Sequence, residues 1–157
     1  MITYQPEKIS DVIPELKSII GLHWSEIGAF DRDNVPLDVD WDKYLAMEEI
    51  DIIKMLTARN DGVLIGYYVA LVVYHPHYKQ TLYADCDLMF ILPSYRKGFV
   101  GYKLIKKADE YLFSLGVKIN ILSTKANKNL RKLVERLGYK PLDIKYYKEV
   151  TQWLEQH

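Results

Sequence analysis

Apolar residues Val12, Ile13, Leu16, Ile19 and Ile20 recur three and four positions apart, which predicts an amphipathic helix over residues 11–24 with Ser10 as its cap and Pro14 in its first turn. From Ala29 to Asp42 the period is lost: Asp31, Asp33, Pro36, Asp38 and Asp40 read as an irregular loop, followed by a short helix from Trp41 to Met47. A loop of that length is often functional. The pattern then becomes that of strands, at residues 52–59, 63–74 and 81–91, rich in Ile, Val, Leu and Tyr. Asn60-Asp61-Gly62 predicts a hairpin turn between the first two. The second connection, His75 to Lys79, is longer and holds Pro76, which a central strand would reject. Together these predict an antiparallel meander.

After Pro93 the helical period returns. Val100, Leu104, Ala108, Leu112 and Leu115 trace an apolar face, Lys103, Lys106, Lys107 and Glu110 a solvated one, and Gly116 closes the helix. A short strand over Val117 to Ser123 and a helix through Leu130, Leu133, Val134 and Leu137, ending at Gly138, come next. A closing strand pair is expected over 139–149. This order is neither all-β nor a regular βαβ alternation, so it predicts a mixed α/β fold. With no internal repeat, low-complexity tract or linker, residues 1–157 are expected to form one domain.

Composition narrows the picture. A chain of 157 residues that is 49% hydrophobic and 27% charged supports one buried core. No signal segment opens it, and its longest apolar run, Val63 to Tyr74, falls short of the roughly 18 residues of a membrane-spanning helix. A cytoplasmic protein with no membrane partner is expected. Cys86 is the single cysteine, which excludes an internal disulfide and fits a reducing compartment.

The net charge of zero hides an uneven distribution: 7 Lys/Arg against 15 Asp/Glu before Arg96, and 14 against 6 from Arg96 onward. A basic half suits a polyphosphate and an acidic half a cationic ligand; equally, the two halves form solvated faces that attract each other. Zero net charge and the lack of a nucleic-acid-reading motif argue against nucleic acid as a partner. His75, His77, Cys86, Asp85 and Asp87 do not have the spacing of a zinc site, so no metal is expected.

The most informative stretch is Pro93-Ser94-Tyr95-Arg96-Lys97-Gly98-Phe99-Val100-Gly101-Tyr102, between a strand and a helix. A helix N-terminus exposes unpaired N–H groups and partial positive charge. Gly98 and Gly101 let a ligand approach the backbone there, and Arg96 and Lys97 add charge. Neither a Walker loop nor a dinucleotide fingerprint is present.

The run Leu88 to Leu104 resembles the acetyl-CoA signature of the GNAT superfamily, Arg/Gln-x-x-Gly-x-Gly/Ala. Arg96 and Gly101 fall on its first and last places, while Phe99 takes the first glycine place and Gly98 stands one residue early. The resemblance extends over most of the chain, since the element order matches and Asn127 to Tyr139 is similar to that family's later helix. It implies a central mixed, mostly antiparallel sheet flanked by about four helices, with a splayed cleft that holds acetyl-CoA. It assigns the pyrophosphate to Arg96, Lys97, Gly98, Phe99, Val100, Gly101 and Tyr102. The pantetheine arm falls to backbone groups of Met89, Phe90 and Ile91 and to Asn127. Val134 occupies the place of the family's usual tyrosine acid, for which Tyr139, Tyr146, Tyr147 or water would substitute. The N-terminal style, His23-Trp24-Ser25-Glu26 and Val35 to Trp41, also resembles small acetyltransferases of tailed bacteriophages.

Attack of an amine on a thioester needs the neutral amine, so a base must take a proton from the ammonium. Asp85 and Asp87 are two apart on one strand, hence on one face, and paired carboxylates are one device for making a better base. The resemblance favours Asp87, with Asp85 second; the other reading is that both bind a cation or face solvent. His23, Glu26 and Asp38 are candidates for the acceptor pocket. Its acidic surroundings favour a polyamine, aminoglycoside, peptide amine or lysine. A homodimer is allowed by the sequence. The rival reading is a module of the same fold that binds acyl-CoA or a protein partner without catalysis, because Phe99 and Val134 break the family pattern.

Overall fold

Leu64, Tyr67 and Val69 pack to one side of the sheet while Ile65, Tyr68, Ala70 and Val72 pack to the other, so the strand that carries them, Val63–His75, is buried on both faces. That two-sided burial demands helices above and below it. The structure, a computed structural model, describes residues 1–27, 35–125 and 130–148. In chain order the elements are β1 (Ile2–Glu7), α1 (Ile9–Ile27), α2 (Trp41–Glu49), β2 (Ile53–Asn60), β3 (Val63–His75), β4 (Tyr78–Ile91), a 3-10 turn (Pro93–Tyr95), α3 (Val100–Ser114), β5 (Ile119–Ile121) and α4 (Arg131–Arg136). The sheet runs β1-β2-β3-β4-β5. Its first three pairings are antiparallel and β4 with β5 is parallel. Leu104, Ala108 and Leu112 of α3 cover one face; Val12 and Leu16 of α1, with Tyr44 and Met47 of α2, cover the other.

The expected mixed α/β fold with a mostly antiparallel sheet is present; the connection expected over His75 to Lys79 is a tighter turn, because His75 already pairs with Tyr78, and three further differences of detail follow. β1 lay outside the predicted elements because Ile-Thr-Tyr-Gln-Pro-Glu is short and holds a proline. At the sheet edge Pro6 removes a donor that no neighbouring strand needs. α1 starts two residues earlier than predicted, which puts Pro14 inside it, and Ser10 is not its cap. Instead the Glu48 carboxylate of α2 accepts from the N–H groups of Ile9 and Ser10, meeting the need of a helix start for acceptors from another element. The closing strand pair is absent from described residues 139–148. β5 pairs over only three positions and offers no long edge to extend, so Leu142, Ile144 and Tyr146 stand exposed.

Arg59 joins three elements around the α1 side. Its guanidinium donates to both oxygens of Glu7 on β1 (2.8 and 3.1 Å), to both oxygens of Glu15 on α1 (2.8 Å each) and to the Gly62 carbonyl (2.7 Å). Burial works to raise the Glu7 carboxyl, yet hydrogen bonds from Arg59 and Thr57 outweigh it and leave Glu7 below 4.5. Glu15 is lowered chiefly by the hydrogen bonds from Arg59. Depressed carboxylates stabilise the fold above their unfolded value, and the contribution disappears as pH falls through the folded one. Arg59→Met is therefore expected to cost about 2 kcal/mol near neutrality, less than for a fully buried pair because Glu15 is partly exposed. Urea midpoints near pH 7 and pH 3 test this: the gap between the proteins should shrink in acid, and a constant gap would assign the loss to packing alone.

Candidate active site

β4 and β5 pair only from Tyr83 with Ile119 to Asp85 with Ile121, while β4 runs on to Ile91, so the two strands part after Asp85. A bulge marks the same place. Val69 faces Leu88 and Ala70 faces Cys86, which leaves Asp87 as an extra residue on β4. Asp85 is opposite Leu71, whose side chain packs on the α1/α2 face. Asp87 is exposed on that face too, where the Tyr44 hydroxyl of α2 donates to its Oδ2 at 2.6 Å. Burial, followed by the bond to Asp87, keeps Tyr44 protonated well above the usual tyrosine range. Further along β4, Phe90 packs toward α1, and Met89 and Ile91 toward α3.

The chain then turns into α3. Gly98 has φ +88°, a left-handed conformation that favours glycine, and Phe99, the helix N-cap, has an ordinary φ of −103°. The turn is thus redrawn around Gly98, and the Phe99 side chain stands 68% exposed without obstructing the backbone. Lys103 N–H donates to the Phe99 carbonyl at 2.9 Å. The N–H groups of Val100, Gly101 and Tyr102 come before it and have no partner within the helix. A Cβ on Gly101 would lie 3.4 Å from Ile91 Cδ1, so the helix start and the end of β4 are in contact distance of one methyl group. A pyrophosphate fits this donor set, and a linear arm fits the parted strands.

Arg96 does not extend to that helix end. Its Nη1 pairs with Glu26 at 2.7 Å, its Nε donates to the Ile91 carbonyl at 2.8 Å, and its guanidinium lies over the Phe90 ring at 5.2 Å. Two residues expected to serve different ligands, Arg96 and Glu26, therefore clamp α1 to the end of β4.

Beside the clamp is a cavity of about 290 Å³, bounded by α1, residues 36–40, α2 and the sheet. His23 lines it with 1% of its surface exposed, stacks on Phe90 at 4.6 Å and shares a 2.7 Å hydrogen bond between Nδ1 and the Tyr67 hydroxyl. Burial holds the imidazole pKa down to about 4; Glu26 works against this, and Arg96 and Lys125 reinforce it. The unfolded chain binds this proton below about 6.5 and the folded chain only near 4, so the stability of neutral burial is full above 6.5 and is lost as pH falls between them. Going from pH 7 to pH 5, the wild type should lose about 2 kcal/mol more than His23→Leu. Equal losses in urea titrations would contradict that.

A sequence profile of the acetyltransferase (GNAT) family matches residues 17–139. The chain belongs to the GNAT family. Solved structures agree with the GNAT fold at low identity. A predicted acetyltransferase from Clostridium acetobutylicum, solved with acetyl-CoA, superposes with a TM-score of 0.73 at 12% identity, covering 97% of this chain and 98% of that one. A ribosomal-protein-alanine N-acetyltransferase from Brucella melitensis biovar Abortus 2308 gives 0.69 at 14%, covering 95% and 99%. An aminoglycoside acetyltransferase from an uncultured soil metagenomic sample, in complex with sisomicin, gives 0.71 at 12%, covering 94% and 95%. No curated protein sequence matches the chain.

Within this GNAT domain the remaining candidates are dispersed. Asp38 lines the cavity and is exposed; Lys97 is exposed on the turn. Tyr146 is 90% exposed on a segment with no helix or strand. Tyr139 donates to Asp109 at 2.6 Å and accepts from Asn120 at 2.9 Å, which commits its hydroxyl to the α3 side. Asn127, Asp31 and Asp33 lie outside the described residues. Among the described residues no cluster of His, Cys, Asp and Glu could hold a metal ion, and no helix is long and apolar enough to cross a membrane. Tyr44 and Tyr67 carry no local motif and were not anticipated, and Trp24, although it stands in the run His23 to Glu26, was not expected to line the cavity. The one signal for Tyr44 was its place one turn after Trp41 on the predicted short helix.

Proposed function

We propose that this protein is an N-acetyltransferase that moves an acetyl group from acetyl-CoA to a primary amine by direct attack, with Asp87 as general base. The observation that carries the reading is the position of Asp87: it stands on the bulge where β4 leaves β5, bonded to Tyr44, a wall residue of the cavity. On this reading the N–H groups of Val100, Gly101 and Tyr102, with Lys97, Gly98 and Phe99, hold the pyrophosphate. The backbone of Met89, Phe90 and Ile91 borders the arm, and the family resemblance assigns Asn127 to it as well. Acetyl-CoA when bound supplies an acyl group activated as a thioester.

The protein's own part is positioning and proton transfer. The Tyr44 hydroxyl fixes Asp87 Oδ2, leaving Oδ1 to receive a proton from the ammonium directly or through one water. Asp85 adds negative charge on the same face. The Arg96–Glu26 pair holds the end of β4 against α1 and so keeps the cleft and the cavity in register. The acceptor is a small-molecule or peptide amine, and the aminoglycoside enzyme among the structural neighbours supports an amine of this size. A single cytoplasmic domain that works without a metal completes the proposal.

Calorimetric titration with acetyl-CoA, against ATP and phosphate as controls, followed by thiol release over an amine panel, tests it. Saturable acetyl-CoA binding with acceptor-dependent release is expected. Binding with no release for any amine would overturn catalysis, and no binding beyond that of ATP would overturn the cofactor as well.

A further inference from the structure

We infer that Gly66 and Ile91 are positioning residues that set the spacing between the cleft edge of β4 and the first turn of α3, and so the fit of one ligand to both; this rests on the acyltransfer reading above. Gly66 lies in β3, buried and opposite Ile91 at the end of β4. Its φ is outside the left-handed region, so backbone conformation does not call for glycine there. Space calls for it instead. A Cβ at this position would come within 2.8 Å of the Phe90 carbonyl oxygen, 3.0 Å of Ile91 Cγ1 and 3.3 Å of Ile91 Cα. Among the described glycines no other would bring a Cβ under 3.0 Å of a non-neighbouring atom. Two of those three atoms are backbone, which cannot turn aside as a flexible side chain can. β3 therefore approaches the end of β4 more closely than a side chain at 66 would allow.

The atoms that Gly66 approaches belong to the part of β4 that borders the parted strands. Leu92 N–H donates to the Ile65 carbonyl of β3 at 2.8 Å. The Ile91 carbonyl shares that trans peptide and points the opposite way, to the side on which β4 has left β5, where Arg96 Nε donates to it at 2.8 Å. The Phe90 carbonyl is turned toward β3, so the N–H of Ile91 on the same peptide also faces the parted side. The Ile91 side chain reaches the other half of the site. Its Cγ1 stands 3.0 Å from the Cβ position of Gly66, and its Cδ1 stands 3.4 Å from that of Gly101 in the first turn of α3. One ethyl arm thus spans from β3 to the helix start, with a glycine at each end. A side chain at 66 would drive Phe90 and Ile91 away from β3 and displace the cleft edge relative to the N–H groups of Val100, Gly101 and Tyr102. A ligand held at two points gains from both only while their spacing matches its own.

Calorimetry with two probes reads that spacing in the full-length protein. One is acetyl-CoA; the other is 3′-phosphoadenosine 5′-diphosphate, the same molecule cut at its pyrophosphate, which reaches the α3 turn but has no arm to lie along β4. Wild type should bind acetyl-CoA at least about tenfold more tightly than the fragment. In Gly66→Ala this ratio should fall about tenfold, while affinity for the fragment stays within about twofold. Ile91→Val removes Cδ1 and adds no bulk, so it keeps the test open if Gly66→Ala does not fold; it should lower the ratio about threefold. An unchanged ratio in either folded variant would overturn the inference, because a residue that only supports the fold leaves the site of folded molecules as it was. Equal losses for both probes would overturn it as well, since the damage would then lie in the α3 turn itself. A wild type that binds acetyl-CoA no better than the fragment strikes the acyltransfer reading and the inference with it, whereas a wild-type preference that the variants keep strikes the inference alone.

Discussion

Replacing Gly101 by glutamate is expected to lower acetyl-CoA affinity by at least about a hundredfold in calorimetric titration, whereas Gly101→Ala keeps affinity within a few-fold. The contrast follows from the space at this position. A methyl group would meet Ile91 Cδ1 at 3.4 Å and Leu133 Cδ2 at 4.0 Å, both ordinary contacts, so alanine fits. Glutamate must direct a longer, anionic side chain out of the first turn of α3, where the unpaired N–H groups and the helix dipole await an anion. Its own carboxylate then competes for those donors and repels the pyrophosphate. Circular dichroism and thermal unfolding establish that the variant is folded. Undiminished binding by a folded Gly101→Glu protein would remove the pyrophosphate from this turn.

Asp87→Asn should leave acetyl-CoA affinity unchanged and reduce kcat by about 10²–10³-fold, the range expected when a general base is removed. Asparagine keeps the shape of the side chain and an acceptor for the Tyr44 hydroxyl, so the 2.6 Å contact survives while the proton acceptor is lost. Tyr44→Phe acts through Asp87 and is expected to cost less, about tenfold in kcat. Its signature is that the double variant with Asp87→Asn should be no slower than Asp87→Asn alone. If Asp87→Asn retained full turnover, the base would have to be sought at Asp85 or in water.

The parts that were legible in the sequence depend on near neighbours in the chain. The meander follows from alternation and from Asn60-Asp61-Gly62, in which Asp61 and Gly62 both take positive φ. α3 follows from an unbroken helical period, and the turn before it from glycines next to a helix start. The parts that were not legible are pairings between distant residues. Tyr44 meets Asp87 across 43 positions and His23 meets Tyr67 across 44, with nothing local in either residue to name the other. Charge alone could not tell that Arg96 would be drawn to Glu26, because a basic residue before a helix has the same local pattern in either use. β1 and the Glu48 cap of α1 failed for a related reason: each is defined by an element far away in sequence. The expected strand pair after Gly138 had suitable side chains but only the three-residue edge of β5 to join.

The bulge in β4 has one further consequence. Cys86 packs toward α3 and Leu88 toward α1, so the alternation of inward and outward positions would be unbroken if residue 87 were skipped. The hydrophobic core therefore does not use this side chain, whose contact is the hydrogen bond it accepts from Tyr44. Asp87 is supernumerary to the architecture, and the strand on either side keeps its neighbours whatever that position carries. On the reading of Asp87 as general base, a change of reactivity at this point leaves the packing of the core undisturbed.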